Sequence, residues 1–380
     1  MMKMRRWIPA VLAATLLAGC TNPLSKDNKE VVTQKGGEES STIIPNTKTD
    51  GQYYRTLLPY KKSASRGLIV SNIHSSYDIK EAELGLNRIS QKSFDPDKYF
   101  FQEGQYLDKD TVSSWLARKN QDPKGLNPSD KGLSPTKRAK EAPVYLAHIV
   151  EQNYLTQSGK NSVKLSGVSI GLALNSVYYY QKEDFGATYE EPINDAKLME
   201  EGKKIAEKVV KRMRSMEGLA NVPITVGLFK QSPRGAIVPG TYETFTQVGE
   251  GKSSIADWKN INEEYLLFPM NNPSDQYREV NDNFKVFKDN INNYFTNSAN
   301  IIGTGYYTQD KVQSLKIQIP IKFYGSSEIT GFTQYTATEV VKQFPKDLAV
   351  EVSITSVDGP EALIVKESGA AETFIHLYND

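Results

Sequence analysis

A single cysteine, Cys20, stands in a chain of 380 residues, so whatever this sequence folds into is held by apolar burial and hydrogen bonds without an internal disulfide. Only three histidines accompany it, His74, His148 and His376, too few for a Cys/His zinc site. No metal and no cofactor is expected. Hydrophobic residues at 38% and charged residues at 24% are ordinary for a globular chain, and the length implies two to three folding units. The 46 Lys and Arg against 45 Asp and Glu leave no basic excess, so nucleic acid is not an expected partner.

The place of the cysteine is as informative as its solitude. Lys3, Arg5 and Arg6 precede an apolar run over residues 7–19, a charged n-region followed by an h-region of secretory length. A permanent span of a bilayer about 30 Å thick needs about 20 apolar residues, so the run reads as a leader that is removed. It ends Leu17-Ala18-Gly19-Cys20, the lipobox order: a Leu, two small residues that let the backbone enter a peptidase, and the thiol that accepts a diacylglycerol. Residues 1–19 are therefore expected to be a signal peptide, and Cys20 the lipidated N-terminus at the extracytoplasmic face of the cell membrane. Losing three positive charges with the leader leaves 43 basic against 45 acidic residues, so the acyl chains must hold the protein without a basic patch.

Residues 20–51 are rich in Ser, Thr, Lys, Glu, Asn and Gly, and they read as a flexible tether reaching on the order of 30 Å. The body is expected to be α+β, with mainly antiparallel sheets, packed helices and two repeat-like units at 52–257 and 258–380. In the first unit a short strand is predicted at 67–70. A helix follows, opened by a capping box of Asp78 and Glu81, and a second helix covers 110–119. Residues 120–141 read as turns. A helix opening at Pro143, a strand at 163–180, a helix bearing Leu198, Ile205, Val209, Met213 and Met216, and strands at 222–229 and 242–248 complete the unit. The second unit repeats helix, strand, helix, strand, strand: a helix with Val280, Phe284, Phe287, Ile291 and Phe295, strands at 301–308 and 316–324, a helix ending at Phe344, and strands at 348–355, 362–365 and 373–378. The strand–strand connections are too short for parallel crossovers.

Few motifs carry chemistry. Gly167-Val168-Ser169-Ile170-Gly171 matches the serine-hydrolase elbow, but apolar residues carry the strand straight through it, where the elbow needs a sharp turn into a helix. Ser134-Pro135-Thr136-Lys137 matches S-x-x-K in a turn-rich stretch, with no Lys-Thr-Gly downstream. His148 reads as a packed histidine beside Tyr145 and Leu155. Lys203, Lys204, Lys208, Lys211, Arg212 and Arg214 read as a solvated helix face paired with Glu200, Glu201 and Glu207, in preference to a surface for an anionic wall polymer or lipid. No catalytic residue is assigned. Candidate ligand-binding residues are Tyr179, Arg234 and Tyr242, on loops where aromatics, acids and an Arg framed by Gly and Pro suit a peptide or a cell-wall glycan.

The lipobox, Ser65-Arg66-Gly67-Leu68, Gly85-Leu86-Asn87-Arg88-Ile89-Ser90, Glu103-Gly104-Gln105-Tyr106-Leu107, Val238-Pro239-Gly240 and the stretch 268–295 together resemble the CamS sex-pheromone lipoproteins of Gram-positive bacteria. The resemblance runs from about residue 53 to the end. It implies a lipid-anchored extracytoplasmic protein whose discarded signal peptide is trimmed to a short apolar peptide that induces conjugative plasmid transfer. The corresponding segment here is Leu12-Ala13-Ala14-Thr15-Leu16-Leu17-Ala18-Gly19, which lacks the Phe and Ile of the staphylococcal example. The resemblance implies no catalytic residue. Two other classes fit a lipoprotein body. A polysaccharide or peptidoglycan hydrolase, using Glu183 with Asp184 or Glu190 with Glu191, requires a cleft holding two carboxylates about 5–10 Å apart. A transporter's solute-binding lipoprotein requires two doubly wound lobes of parallel strands.

Overall fold

The computed structural model describes residues 29–35, 38–45, 53–63, 65–158, 162–295, 300–322 and 325–378. Cys20 and the rest of the lipobox, the octapeptide 12–19 and the whole signal segment lie outside the described residues.

The described chain begins with β1 (Lys29–Lys35), β2 (Glu38–Ile44) and β3 (Arg55–Thr56), then α1 (Arg66–Asn72) and α2 (Ser76–Ser90). After β4 (Phe100–Glu103) come α3 (Lys109–Leu116), α4 (Pro135–Glu141) and the long hairpin of β5 (Leu146–Ser158) and β6 (Ser162–Asn175). A small hairpin of β7 (Val177–Gln181) and β8 (Thr188–Pro192) leads to α5 (Asp195–Arg214), β9 (Ile224–Gln231), β10 (Thr241–Val248) and β11 (Lys259–Asn260). A second sheet follows, built from β12 (Glu263–Phe268), α6 (Asp275–Tyr294), β13 (Ile302–Thr308), β14 (Lys311–Pro320), α7 (Ser326–Gln343), β15 (Ala349–Thr355), β16 (Pro360–Lys366) and β17 (Phe374–Leu377).

The repeat is present, and each copy is longer than the pattern of residues implied. The first sheet runs β11-β10-β9-β6-β5-β4-β3 and the second β12-β13-β14-β15-β16-β17. Strands β4, β5, β6, β9, β10 and β11 match β12 to β17 in order. In both copies every neighbouring pair is antiparallel except the third, β6/β9 and β14/β15, which is parallel and is bridged by α5 or α7. In each copy the parallel step is the one that a helical crossover, α5 or α7, makes possible; outside the repeat, the short β3 also pairs with β4 in parallel. The fold is therefore α+β with mainly antiparallel sheets, unlike the parallel lobes that a solute-binding protein requires.

The two sheets differ in what covers them. In the first, α3 and α5 bury one face through Trp115, Leu198, Ile205, Val209 and Met213, while α1 and α2 bury the other through Ile69, Ile73, Leu86 and Ile89 against Phe229, Tyr242 and Phe245. In the second, α6 and α7 cover one face, and β13 alternates buried with half-buried residues. The sheets meet at a charged cluster. Arg88 of α2 pairs with Glu81 and, at 2.8 Å, with Glu263 of β12; its guanidinium lies 5.0 Å from the Tyr306 ring, and the Tyr265 hydroxyl donates to Glu81 at 2.8 Å.

Five expectations are corrected. The apolar run at 67–70 is part of helix α1, because Ile69 and Ile73 lie one turn apart and both reach the core. The segment opening at Pro143 is strand β5, whose residues 146–155 are all buried; a central strand covered on both faces loses the alternation that marks strands in sequence. Turn-rich 120–141 ends in α4, with the Ser134 side chain accepting from the Lys137 N–H and Pro135 opening the helix. Within the span read as tether, β1 and β2 pair as a hairpin, β1 touches β6 at Val32 and Ser162, and Ile44 packs with Leu57, Phe100, Leu155 and Val163. The strand read over 163–180 is divided at Ser176 between β6 and β7. Among the described residues no helix is long and apolar enough to cross a membrane.

Candidate functional site

The start of α2 organises the loops around it. Ser75 caps the helix by accepting from the Asp78 N–H at 3.0 Å, so the cap lies three residues before the expected one. Buried Asp78 accepts from the Ser75 hydroxyl at 3.0 Å, and its other oxygen accepts from the Ser232 N–H at 3.2 Å and the Gly240 N–H at 2.7 Å. That pins the loop carrying Arg234 to a helix N-terminus, where a negative charge is favoured.

Two of the three sequence-predicted ligand residues meet on this side of the molecule. The Arg234 guanidinium lies 4.3 Å from the Tyr179 ring centroid, and its backbone N–H donates to the Tyr179 hydroxyl at 2.8 Å. Both line an open groove of 450 Å³ with Tyr178, Tyr180, Glu183 and Asp184. Tyr242 is not there. It lies in the core with 1% exposure, its hydroxyl donating to the Ala82 carbonyl at 2.7 Å between α2 and the sheet, so its assignment as a ligand residue is corrected to a packing role. Glu183, Asp184 and Glu190 are exposed, and Glu190 and Glu191 pair across β8 with Tyr179 and Tyr178. Glu183 and Asp184 therefore stand on an open groove and not in an enclosed cleft.

The other motifs resolve as structure. Ser169 is fully buried inside β6 and its Oγ accepts from Ser90 at 2.7 Å, so no elbow exists. Ser134 stands at a helix start, contrary to expectation, but its hydroxyl serves as the cap of α4. On α5 the basic residues divide: Lys204 pairs with Glu200 and Glu201, while Arg214 donates to the carbonyls of Leu219, Gly249 and Lys252 and closes the turn after the helix.

A more enclosed site lies between α1, α2, β4 and β5, where the sequence assigned none. A cleft of 210 Å³ is lined by Tyr60, Ser63, Arg66, Glu83, Glu103 and His148 among polar residues, and by Ile69, Leu84, Phe101 and Val150 among apolar ones. Glu103 is well held. It accepts from the Tyr60 hydroxyl and from the Ser63 N–H at 2.6 Å, and it pairs with Arg66 at 3.2 Å. Burial, then Glu103, push the Tyr60 hydroxyl up to about 12. Below it, buried Glu151 accepts from the N–H groups of Gln105, Tyr106 and Leu107 at 3.0, 3.1 and 2.7 Å and fixes the turn from β4 towards α3. Gly104 is required in that turn, because a Cβ there would lie 2.4 Å from the Glu151 Cβ.

Two groups in the cleft are left unanswered. Among the described residues no ion pair or hydrogen bond engages the Glu83 carboxylate; burial raises its pKa, which the charge of Arg66 partly offsets. His148, on β5, is 2% exposed, its Nδ1 has no hydrogen-bond partner among the described residues, and burial holds the ring neutral by pushing it down to about 4. A buried unpaired ring nitrogen is costly unless something else satisfies it. Among the described residues no group of three or more His, Cys, Asp or Glu is arranged to hold a metal. Sequence reasoning missed this cleft because its residues come from four separated segments and form no local motif. One signal did point to it: Ser65-Arg66, Asn87 and Glu103 all fall within the stretches that carried the family resemblance.

The family model described as CamS sex pheromone cAM373 precursor matches residues 60–372, a span that includes every residue lining the cleft. The crystal structure of a sex pheromone precursor from Lactobacillus salivarius subsp. salivarius UCC118 is similar at 34% identity and a TM-score of 0.81, covering 88% of this chain and 98% of that one. The C-terminal domain of the sex pheromone staph-cAM373 precursor from Staphylococcus aureus is similar at 33% identity and a TM-score of 0.70, covering 81% of this chain and 99% of that one. No curated protein matches the chain significantly.

Proposed function

Because this chain belongs to the CamS family of sex pheromone precursors, we propose that it is made as a lipoprotein, anchored through a diacylglycerol on Cys20 at the extracytoplasmic face of the membrane, and that its discarded signal peptide is trimmed to a conjugation-inducing peptide. The observation that carries the reading is the coincidence of a family match over 60–372 with an uninterrupted Leu17-Ala18-Gly19-Cys20 behind an apolar h-region. The chemistry is consistent. Cleavage before Cys20 frees a peptide whose last eight residues, 12–19, carry no charged side chain.

The body is read as a binding module for a peptide or a cell-wall glycan, with the cleft between α1, α2, β4 and β5 as its binding site. Supporting this are its enclosure, its mixed apolar and polar lining, and His148, whose buried Nδ1 has no partner among the described residues. A hydrolytic reading is weaker, because the carboxylate pairs named for it stand on an exposed hairpin.

The test separates the two gene products. Synthetic 12–19 peptide, at nanomolar concentration, is added to cells carrying a pheromone-responsive plasmid, with the body assayed in parallel. Induction by the peptide and not by the body is expected; induction by the body alone overturns the assignment. Labelled palmitate should enter the wild-type chain and not Cys20→Ala, and label on the variant would refute lipidation at Cys20.

A further inference from the structure

Resting on the reading of the cleft as a binding site, we infer that it selects an aliphatic primary ammonium, such as a lysyl side chain, with Glu83 as its counter-ion and the His148 ring as a second acceptor. Three observations converge on this class. The cleft is lined by Glu83, Glu103 and Glu151 against one cation, Arg66, which is already paired with Glu103, so the wall holds uncompensated negative charge. Of the three carboxylates only Glu83 lacks a hydrogen-bond donor among the described residues: Glu103 has Tyr60 and Ser63, and Glu151 has three backbone N–H groups. His148, almost fully buried, lines the same cavity, and its Nδ1 has no hydrogen-bond partner among the described residues.

An ammonium answers that pattern better than other ligands. It carries three N–H donors and no acceptor, which suits a carboxylate and a neutral imidazole. An anionic ligand would meet Glu83 with like charge, at the cost of burying an unpaired ion. A metal ion is disfavoured because the described His, Asp and Glu side chains form no ligand group. The stem matters too. Ile69, Leu84, Phe101 and Val150 offer an apolar wall along which methylenes can lie while the charged head reaches the polar end. The cavity of 210 Å³ leaves room for a short aliphatic ammonium beside that wall.

The experiment uses the full-length chain in detergent micelles and follows the ring resonances of its three histidines by NMR. The probes are Nα-acetyl-lysine methylamide, its ε-acetylated form, the norleucine equivalent and the glutamate equivalent. The lysine probe should shift the His148 resonances saturably, while the other three leave them in place. Glu83→Gln, checked for folding by its unchanged His74 and His376 resonances, should bind the lysine probe about tenfold more weakly, the loss expected of one charge-assisted hydrogen bond. If the norleucine or glutamate probe shifts His148 as strongly as the lysine probe, the ammonium assignment is overturned while the cleft stands as a binding site. If none of the four moves His148, both are refuted. Undiminished affinity in Glu83→Gln removes Glu83 as the counter-ion and refutes the inference as stated.

Discussion

His148 should make this protein acid-labile, and the size of the effect follows from its burial. In the unfolded chain the ring takes a proton near 6.5; in the fold, burial lowers that to about 4. Above 6.5 neither state binds the proton and the group contributes nothing to the pH dependence. Between 6.5 and about 4 the unfolded chain is protonated and the folded chain is not, so stability falls as pH falls. At about 1.36 kcal/mol per pKa unit, the whole interval is worth about 3 kcal/mol. The ring is 2% exposed, so solvent screening takes little from that figure. Glu83 and Glu151, whose pKa values burial raises, change stability with the opposite sign, so the wild-type profile alone does not isolate the histidine. The measurement is therefore a difference. Urea unfolding of wild type and His148→Leu is followed by fluorescence of buried Trp115 at a series of pH values from above 6.5 down to 4. The stability advantage of wild type over the variant should shrink by about 3 kcal/mol across that range. A constant difference would show that the ring titrates alike in both states, and the reading of His148 as a neutral buried acceptor would fail with it.

Gly171→Ala places a Cβ 2.3 Å from the Tyr242 hydroxyl and should cost about 1–3 kcal/mol by overpacking. The cost should be smaller in a Tyr242→Phe background, read by denaturant melts of the four-member cycle, and Tyr242→Phe itself should lose about 1 kcal/mol while leaving probe binding in the cleft unchanged. Arg88→Met leaves the Glu81 and Glu263 carboxylates facing each other without their cation and should destabilise by about 3 kcal/mol, with a thermal transition that broadens or splits as the two sheets uncouple. Gly104→Ala should lower the melting temperature and perturb His148 resonances together, because the new Cβ must displace Glu151 from beneath the cleft; an unchanged melting temperature would show that the turn has slack.

The long amphipathic helices were the legible part of the fold. Those of the second sheet, and α5 in the first, bury one face and leave the other in solvent, so Leu198, Ile205, Val209 and Met213, or Phe284, Phe287 and Ile291, recur at helical spacing. Strands β13 and β14 of the second sheet were legible for the same reason, since covering the sheet on one face preserves alternation, whereas β12 was missed because it does not alternate. The first sheet hid its strand β5, because helices on both faces bury residues 146–155 without interruption and erase the period. Short apolar α1 gave too few residues to separate a helix from a strand.

The site divides along the same line between local and distant information. Signal chemistry is local: charge, apolar run, two small residues and Cys20 stand in the order in which enzymes read them, so the amino-acid sequence alone specifies the expected address and lipid, and its longer stretches indicated the family. The pairing of Tyr179 with Arg234 required the loop after β9 to be drawn in by Asp78, and Tyr242, which reads like a loop aromatic, proved to be core because β10 turns it under α2. The cleft belongs wholly to tertiary structure. Arg66, Glu83, Glu103 and His148 sit on four elements, and no one of them is unusual where it stands in the chain. Only packing α1 and α2 across β4 and β5 brings Glu83 and the His148 ring to one cavity, since burial and the loss of water are properties of the assembled fold and not of any segment.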